Sequence, residues 1–270
     1  MLIAVDTGGT KTLIAGFQPD GSVVVEHKFP TPHDTAEYIK ILKKELAILA
    51  TGHKVDGIVI ALPGIIKEGV AVWCNNLGWK NFDVASALKG VLGGVPIHVE
   101  NDANLAGLAE ARQLTKIPDL SLYVTISTGI GSGIIANGII QPALRKSEIG
   151  RSLVEYAGRV REWESFASGS AIVRVYKKYA REIHSPRSWR SIADRISRGF
   201  LATIPVLQPD VIIIGGSIGT YFDQYEAELN KILKEKLPDH IPLPVIRQAA
   251  HPEYAVVYGC FYHGRDLTLI

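Results

Sequence analysis

The chain has 270 residues, 47% of them hydrophobic, enough for one large domain or two smaller ones around a sizeable core. A formal net charge of +2 argues neither for nor against an anionic partner, and no apolar run approaches the ~20 residues of a membrane span. Cys74 and Cys260, the only cysteines, stand far apart in no metal-ligand spacing, which excludes a cysteine-rich zinc site and fits a reducing cytoplasm. The run from Leu2 is strand-like and lacks the charged region and cleavage site of a signal peptide.

Residues 2–5 read as a strand, Asp6-Thr7-Gly8-Gly9-Thr10-Lys11 as a tight turn and 12–17 as the returning strand. Pro19-Asp20-Gly21 is a second turn and 23–25 a third strand. Over 35–50, Tyr38, Ile41, Leu42, Leu46 and Leu49 share one helical face. Strands are predicted at 57–62, ending in Pro63-Gly64, at 69–73, ending at Asn75-Asn76, and at 96–100. The last runs into Val99-Glu100-Asn101-Asp102-Ala103-Asn104 and a helix over 103–112. Open α/β sheets bind ligands beyond the carboxyl ends of their strands, and a helix dipole keeps a carboxylate ionised there. Asp102 is therefore a candidate general base. Asn and Asp are also preferred helix N-caps, and capping alone accounts for the same residue types.

The chain then repeats itself. Residues 122–136, with Ser127-Thr128-Gly129-Ile130-Gly131 at their centre, lay over 2–15 as strand, Thr-Gly turn and strand, which suggests two related domains. Helical spacing marks 163–183, 189–207 and 221–237. Residues 209–217 hold a buried strand with a Gly215-Gly216 exit, 244–247 another strand and 254–262 a final helix. A hinge is expected near 115–119. Between 145 and 198, thirteen Lys/Arg face six Asp/Glu, a balance of +7 that either meets a polyanion or covers solvated helix faces.

Two Thr-Gly turns at equivalent places of two repeats suit phosphate, because glycine lets backbone N–H groups approach an anion. Asp6 is a candidate magnesium residue acting through water. Neither turn is a Walker A loop, and Gly129-x-Gly131 precedes a strand, so it is no dinucleotide fingerprint.

Six motifs occur in order: Asp6-Thr7-Gly8-Gly9-Thr10-Lys11, Val99-Glu100-Asn101-Asp102-Ala103-Asn104, Ser127-Thr128-Gly129-Ile130-Gly131, Ser147-Glu148-Ile149-Gly150, Glu164-Ser165-Phe166-Ala167-Ser168-Gly169 and Ile214-Gly215-Gly216-Ser217. Together they resemble the ROK family of sugar kinases and repressors, over nearly the whole chain. The resemblance implies an α/β protein of two ribonuclease H-like, actin-like ATPase domains with an interdomain cleft closing over ATP–magnesium and a hexose. The expected division is a small domain of 1–118 with 253–270 and a large domain of 119–252, forming a homodimer. By motif match, Asp102 looks like the catalytic base of a hexose C6 kinase, with glucose the foremost acceptor. Asn101, Gly64, Asn76, Glu148 and Glu164 look like sugar ligands. Gly8, Gly9, Thr10, Lys11, Thr128 and Gly129 fall in the phosphate turns, and Gly215 and Gly216 in the adenosine turn. Neither nucleic acid nor membrane is an expected partner.

The sequence departs from the family in two respects. The family's His after Glu-Ile-Gly is Arg151 here, and its Cys-x-Cys-Gly-x2-Gly-Cys loop is absent, with only 157–163 spanning the gap. Those family residues hold one zinc ion, so no zinc is expected. Arg151 is expected to pair with Glu148 or to donate to a sugar hydroxyl. Other readings are an N-acetylmannosamine or other hexose kinase, a polyphosphate-dependent glucokinase and a non-catalytic sugar-binding protein. A repressor of the family would need a helix-turn-helix, for which the sequence leaves no room ahead of Leu2.

Overall fold

A computed structural model describes residues 1–251 and 254–270. The chain divides into two compact units: residues 1–109 together with the C-terminal segment, and the residues from 110 onward. The first division falls inside a helix, ahead of the 115–119 stretch. Pro252 and Glu253, between which the second domain boundary was expected, lie outside the described residues.

The first unit runs β1 (Leu2–Thr7), β2 (Lys11–Phe17), β3 (Val23–Pro30), α1 (Thr35–Leu49), β4 (Gly57–Leu62), β5 (Ile65–Lys67), β6 (Val70–Cys74), β7 (Trp79–Asp83), α2 (Val84–Ala87), β8 (Ile97–Asn101) and α3 (Asp102–Arg112). Its main sheet has the order β3-β2-β1-β4-β8. β1 pairs antiparallel with β2 and parallel with β4, and β4 pairs parallel with β8. β4 is buried along its whole length, as a central strand covered on both faces must be. Asp34 caps α1 by accepting from Glu37 N–H at 2.8 Å, and Tyr38, Leu42, Leu46 and Leu49 are its buried stripe. β5, β6 and β7 form a small separate sheet; Gly64 lies just ahead of β5, and Asn76 lies in the turn between β6 and β7.

The second unit runs β9 (Leu120–Ile126), β10 (Ile130–Ala136), β11 (Ile139–Ile140), β12 (Leu153–Tyr156), β13 (Arg159–Glu162), α4 (Glu164–Ala167), α5 (Gly169–Tyr176), α6 (Pro186–Leu207), β14 (Val211–Gly215), α7 (Gly216–Gly219), α8 (Glu226–Lys236) and β15 (Val245–Gln248). Its sheet order is β11-β10-β9-β14-β15, a hairpin followed by two parallel neighbours, as in the first unit. The 122–136 repeat thus occupies the place in this sheet that β1 and β2 occupy in the other.

One expected helix is broken, the helix expected over 221–237 begins only at Glu226, and one hairpin is unexpected. Residues 163–183 are not one helix: Ser168 is extended and caps a new helix by accepting from Ala171 N–H, and Lys177 ends it in the left-handed region. Residues 153–162 form a hairpin, whose two-residue loop Ala157-Gly158 has φ of 54° and 73°. Such a loop suits the twist of paired strands.

Each unit has its own core. The first gathers Ile3, Val5, Leu42, Leu46, Ile58 and Ile60, and the second Val124, Trp163, Ile192, Ile196, Phe200 and Ile214. Helix α9 (Ala255–Asp266) returns to the first unit and packs on β1 and β4. Its Tyr258 and Phe261 rings bracket Phe17, with centroids 5.3 and 5.1 Å away. Among the described residues no helix is long and apolar enough to cross a membrane.

Candidate active site

In the first unit the site grows from the carboxyl end of β8. Helix α3 begins at Asp102, and Asn101 does the capping: its Oδ1 accepts from Asn104 N–H at 3.0 Å. Capping therefore does not account for Asp102, which is the first helical residue, with Oδ1 accepting from Ala103 N–H at 2.8 Å. Glu100, 2% exposed, accepts from Asn101 N–H at 2.8 Å and from Asn104 Nδ2 at 3.1 Å. The motif thus holds its own backbone, and the aspartate stands at its tip. Sequence reasoning assigned Glu100 no part in this.

Asn101 also reaches across the sheet, donating Nδ2 to Gly64 O at 2.9 Å. Gly64 has φ +91°, and a Cβ there would lie 2.2 Å from Trp73 O, so only glycine fits. Cys74 beside it donates Sγ–H to Pro63 O at 2.7 Å. Burial, and then the charge of Asp102, push the Cys74 thiol up to about 12, so it stays protonated. Asp6, near the end of β1, senses the same charge. Burial first and Asp102 second push its carboxyl up to about 7. Two neighbouring carboxylates, one driven toward protonation, suit a hard divalent cation. Among the described residues no group of three or more His, Cys, Asp or Glu is placed to hold a metal. A magnesium ion at Asp6 would therefore draw its remaining ligands from water and phosphate.

The β1–β2 turn closes through Gly8 N–H donating to Lys11 O at 3.0 Å, and Thr10 and Lys11 are exposed. Asn76, far off in sequence, comes against this turn: a Cβ on Gly9 would lie 3.5 Å from Asn76 Cβ.

In the second unit Thr128 and Gly129 form the β9–β10 turn. Gly169 N–H, at the start of α5, donates to Ser127 O at 2.7 Å, and Ser217 Oγ lies 3.4 Å from Ser127 Oγ. The 127–129 turn, the first residue of α5 and the Gly215-Gly216-Ser217 turn after β14 are therefore neighbours. Glu164 Oε2 accepts from Ile130 N–H at 2.7 Å. A Cβ on Gly129 would lie 2.3 Å from Glu164 Oε2, so a side chain there would displace this carboxylate.

Glu148 precedes the 3-10 turn Ile149–Arg151 and Arg151 ends it. The ion pairs of Arg151 run to Glu162, at 2.7 Å, and to Glu164, at 3.3 Å, beside its electrostatic attraction to the Glu148 carboxylate. Glu162 had no sequence signal, because nothing in Arg-Glu-Trp-Glu distinguishes a paired carboxylate from a solvated one.

Burial holds the Glu148 carboxyl above its ordinary range. Arg151 pulls it back and the charge of Glu164 adds to the rise. The native state thus keeps a proton that the unfolded chain has already lost, and stability falls as pH climbs from 4.5 through the raised value. Glu148→Gln is accordingly expected to melt higher than wild type at pH 8, with the gain vanishing below pH 4.5. Thermal midpoints across pH check this, and a difference independent of pH would count against it.

A model of the ROK family matches residues 2–265. An N-acetylmannosamine kinase of Yersinia pestis (strain Pestoides F) is 28% identical over 292 aligned residues, covering 97% of this chain and 98% of the relative. The inorganic polyphosphate/ATP-glucomannokinase of Arthrobacter sp. strain KM is 26% identical, covers 98% of each chain and superposes with a TM-score of 0.76. A ROK family glucokinase of Streptomyces griseus, solved in complex with glucose and AMPPNP, has a TM-score of 0.80 at 21% identity, over 98% of this chain and 99% of the other. The architecture is that of these ROK structures, the actin-like ATPase fold.

Proposed function

The chain belongs to the ROK family, and from that premise we propose that it is an ATP-dependent hexose kinase that phosphorylates a primary (C6) hydroxyl, glucose foremost, with Asp102 as general base. The observation that carries the reading is the state of Asp102. It heads α3 while Asn101 performs the capping, so its carboxylate is held by Ala103 N–H in the field of the helix terminus.

In this reading the acceptor oxygen attacks the γ-phosphorus, the bond to the β-bridging oxygen breaks, ADP leaves, and the hydroxyl proton passes to Asp102. Asn101, Gly64 and Asn76 place the sugar beside it. Glu148, Arg151 and Glu164 recognise further hydroxyls, as charged acceptors and donors do well. Gly8, Gly9, Thr10 and Lys11, with Thr128 and Gly129, offer backbone N–H groups, hydroxyls and one ammonium to phosphate oxygens; Gly215 and Gly216 give a nucleoside a flat approach. ATP is the phosphoryl donor; Asp6 would hold its magnesium ion through water, and that ion would neutralise charge developing on the transferred group. Zinc has no part in this reading, and the enzyme is a homodimer, for which light scattering is the test.

Identity does not choose the acceptor, since relatives of 26% and 28% identity are named for different sugars. A second donor is supported by the +7 segment over 145–198 and by the relative named for both polyphosphate and ATP. The deciding experiment supplies ATP or polyphosphate as sole donor to glucose, mannose, fructose and N-acetylmannosamine, with magnesium in excess and with or without a zinc-selective chelator. Glucose turnover with ATP, insensitive to the chelator, is expected. Turnover with polyphosphate alone would replace the donor, and no turnover on any sugar would overturn the kinase.

A further inference from the structure

Glu162 ends β13 and Glu164 opens α4, with only Trp163 between them. The Trp163 indole is wholly buried and donates Nε1–H to Arg195 O at 3.1 Å, so this corner is anchored in the core. Both carboxylates turn to one guanidinium. Arg151 Nη1 meets Glu162 Oε2 at 2.7 Å, and Nη2 meets Glu164 Oε1 at 3.3 Å. The other oxygen of Glu164 accepts from Ile130 N–H, directly after the Thr128-Gly129 turn. Glu164 is thus held from two sides, by the turn and by Arg151. Arg151 is held more closely by Glu162, and lies three residues after Glu148.

We propose that Glu162 is a positioning residue for acceptor recognition. It fixes Arg151 at the point from which that guanidinium aims the Glu164 carboxylate and steadies the neighbouring Glu148, while Glu164 stays seated on the 128–129 turn. The inference rests on the reading of Glu148 and Glu164 as sugar ligands. A guanidinium serves because its planar fork offers two parallel donor directions, which an ammonium does not. The side chains of Arg151, Glu162 and Glu164 are 37%, 43% and 24% exposed, so water weakens the pairs, and the effect is one of aim more than of strength.

The test is a double-mutant cycle at saturating ATP, with the best acceptor among glucose, mannose, fructose and N-acetylmannosamine. Glu162→Gln keeps the shape and removes the charge. It is expected to raise the sugar KM about threefold, the scale of one partly exposed ion pair, with kcat and the ATP KM unchanged. Arg151→Ala should raise it further, and Glu162→Gln added to Arg151→Ala should change nothing more, because the route from Glu162 to the sugar is gone. Arg151→Lys should recover only part of the loss. An active wild type with an unchanged sugar KM in Glu162→Gln, a fall confined to kcat, or additive effects in the double mutant would overturn the proposal alone. A wild type that neither phosphorylates any of the four sugars nor binds one by calorimetry would overturn the kinase reading and this proposal with it.

Discussion

Asp102→Asn is expected to lower kcat by about 10²–10⁴-fold, the range for loss of a general base, while sugar binding and folding persist. The substitution keeps the side chain's shape, and its amide oxygen can still accept from Ala103 N–H as Oδ1 does now at 2.8 Å. Asn101 keeps its caps and its bond to Gly64, so the helix start is undisturbed. What disappears is the group that takes the hydroxyl proton, together with the negative charge that adds to burial in raising the Asp6 and Cys74 pKa values. Asp6 should accordingly titrate lower in the variant, an effect visible by NMR even where turnover is too slow to follow. Near wild-type kcat would remove Asp102 from the chemistry.

Gly64→Ala is expected to destabilise the protein by about 2–4 kcal/mol, the cost of overpacking added to that of a strained backbone. Its φ is +91°, and the new methyl would lie 2.2 Å from Trp73 O, an atom of the β5–β6 ladder that cannot yield without breaking strand pairing. The displaced Gly64 carbonyl is also the acceptor for Asn101 Nδ2, so kcat/KM should fall more than the loss of stability alone explains. Gly78→Ala is the control. Its φ is +72° and nothing lies within 4 Å of the added carbon, so it should cost about 1 kcal/mol. Urea melts of the two variants measure the difference, and equal costs would show that the Trp73 contact relaxes freely.

Much of the frame could be read from the chain alone, wherever a pattern was long or a motif contiguous. The strand at 57–62 is six apolar residues bounded by turn formers, and the helix at 35–49 carries four buried residues at helical spacing. The Thr-Gly repeat pointed to two like sheets because each copy is a complete hairpin, and hairpins are local. Glu100 to Asn104 was legible as a site for the same reason, since one short segment carries its residues.

The tertiary structure decided what sequence distance conceals. β5 is three residues long, too short for any period to show, and 153–162 is a hairpin of mixed apolar and charged residues whose turn is set by two left-handed residues, one of them Ala157. The helix expected over 163–183 breaks because the Ser168 hydroxyl competes locally for a backbone N–H, an outcome that apolar spacing does not encode. The bond from Asn101 to Gly64, the approach of Asn76 to Gly9 and the choice of Glu162 and Glu164 as partners of Arg151 each depend on strands brought together by burial. A charged or amide side chain has many partners within reach of its sequence neighbours. Which one it takes is settled only when packing fixes the few ångströms that separate a hydrogen bond from solvent.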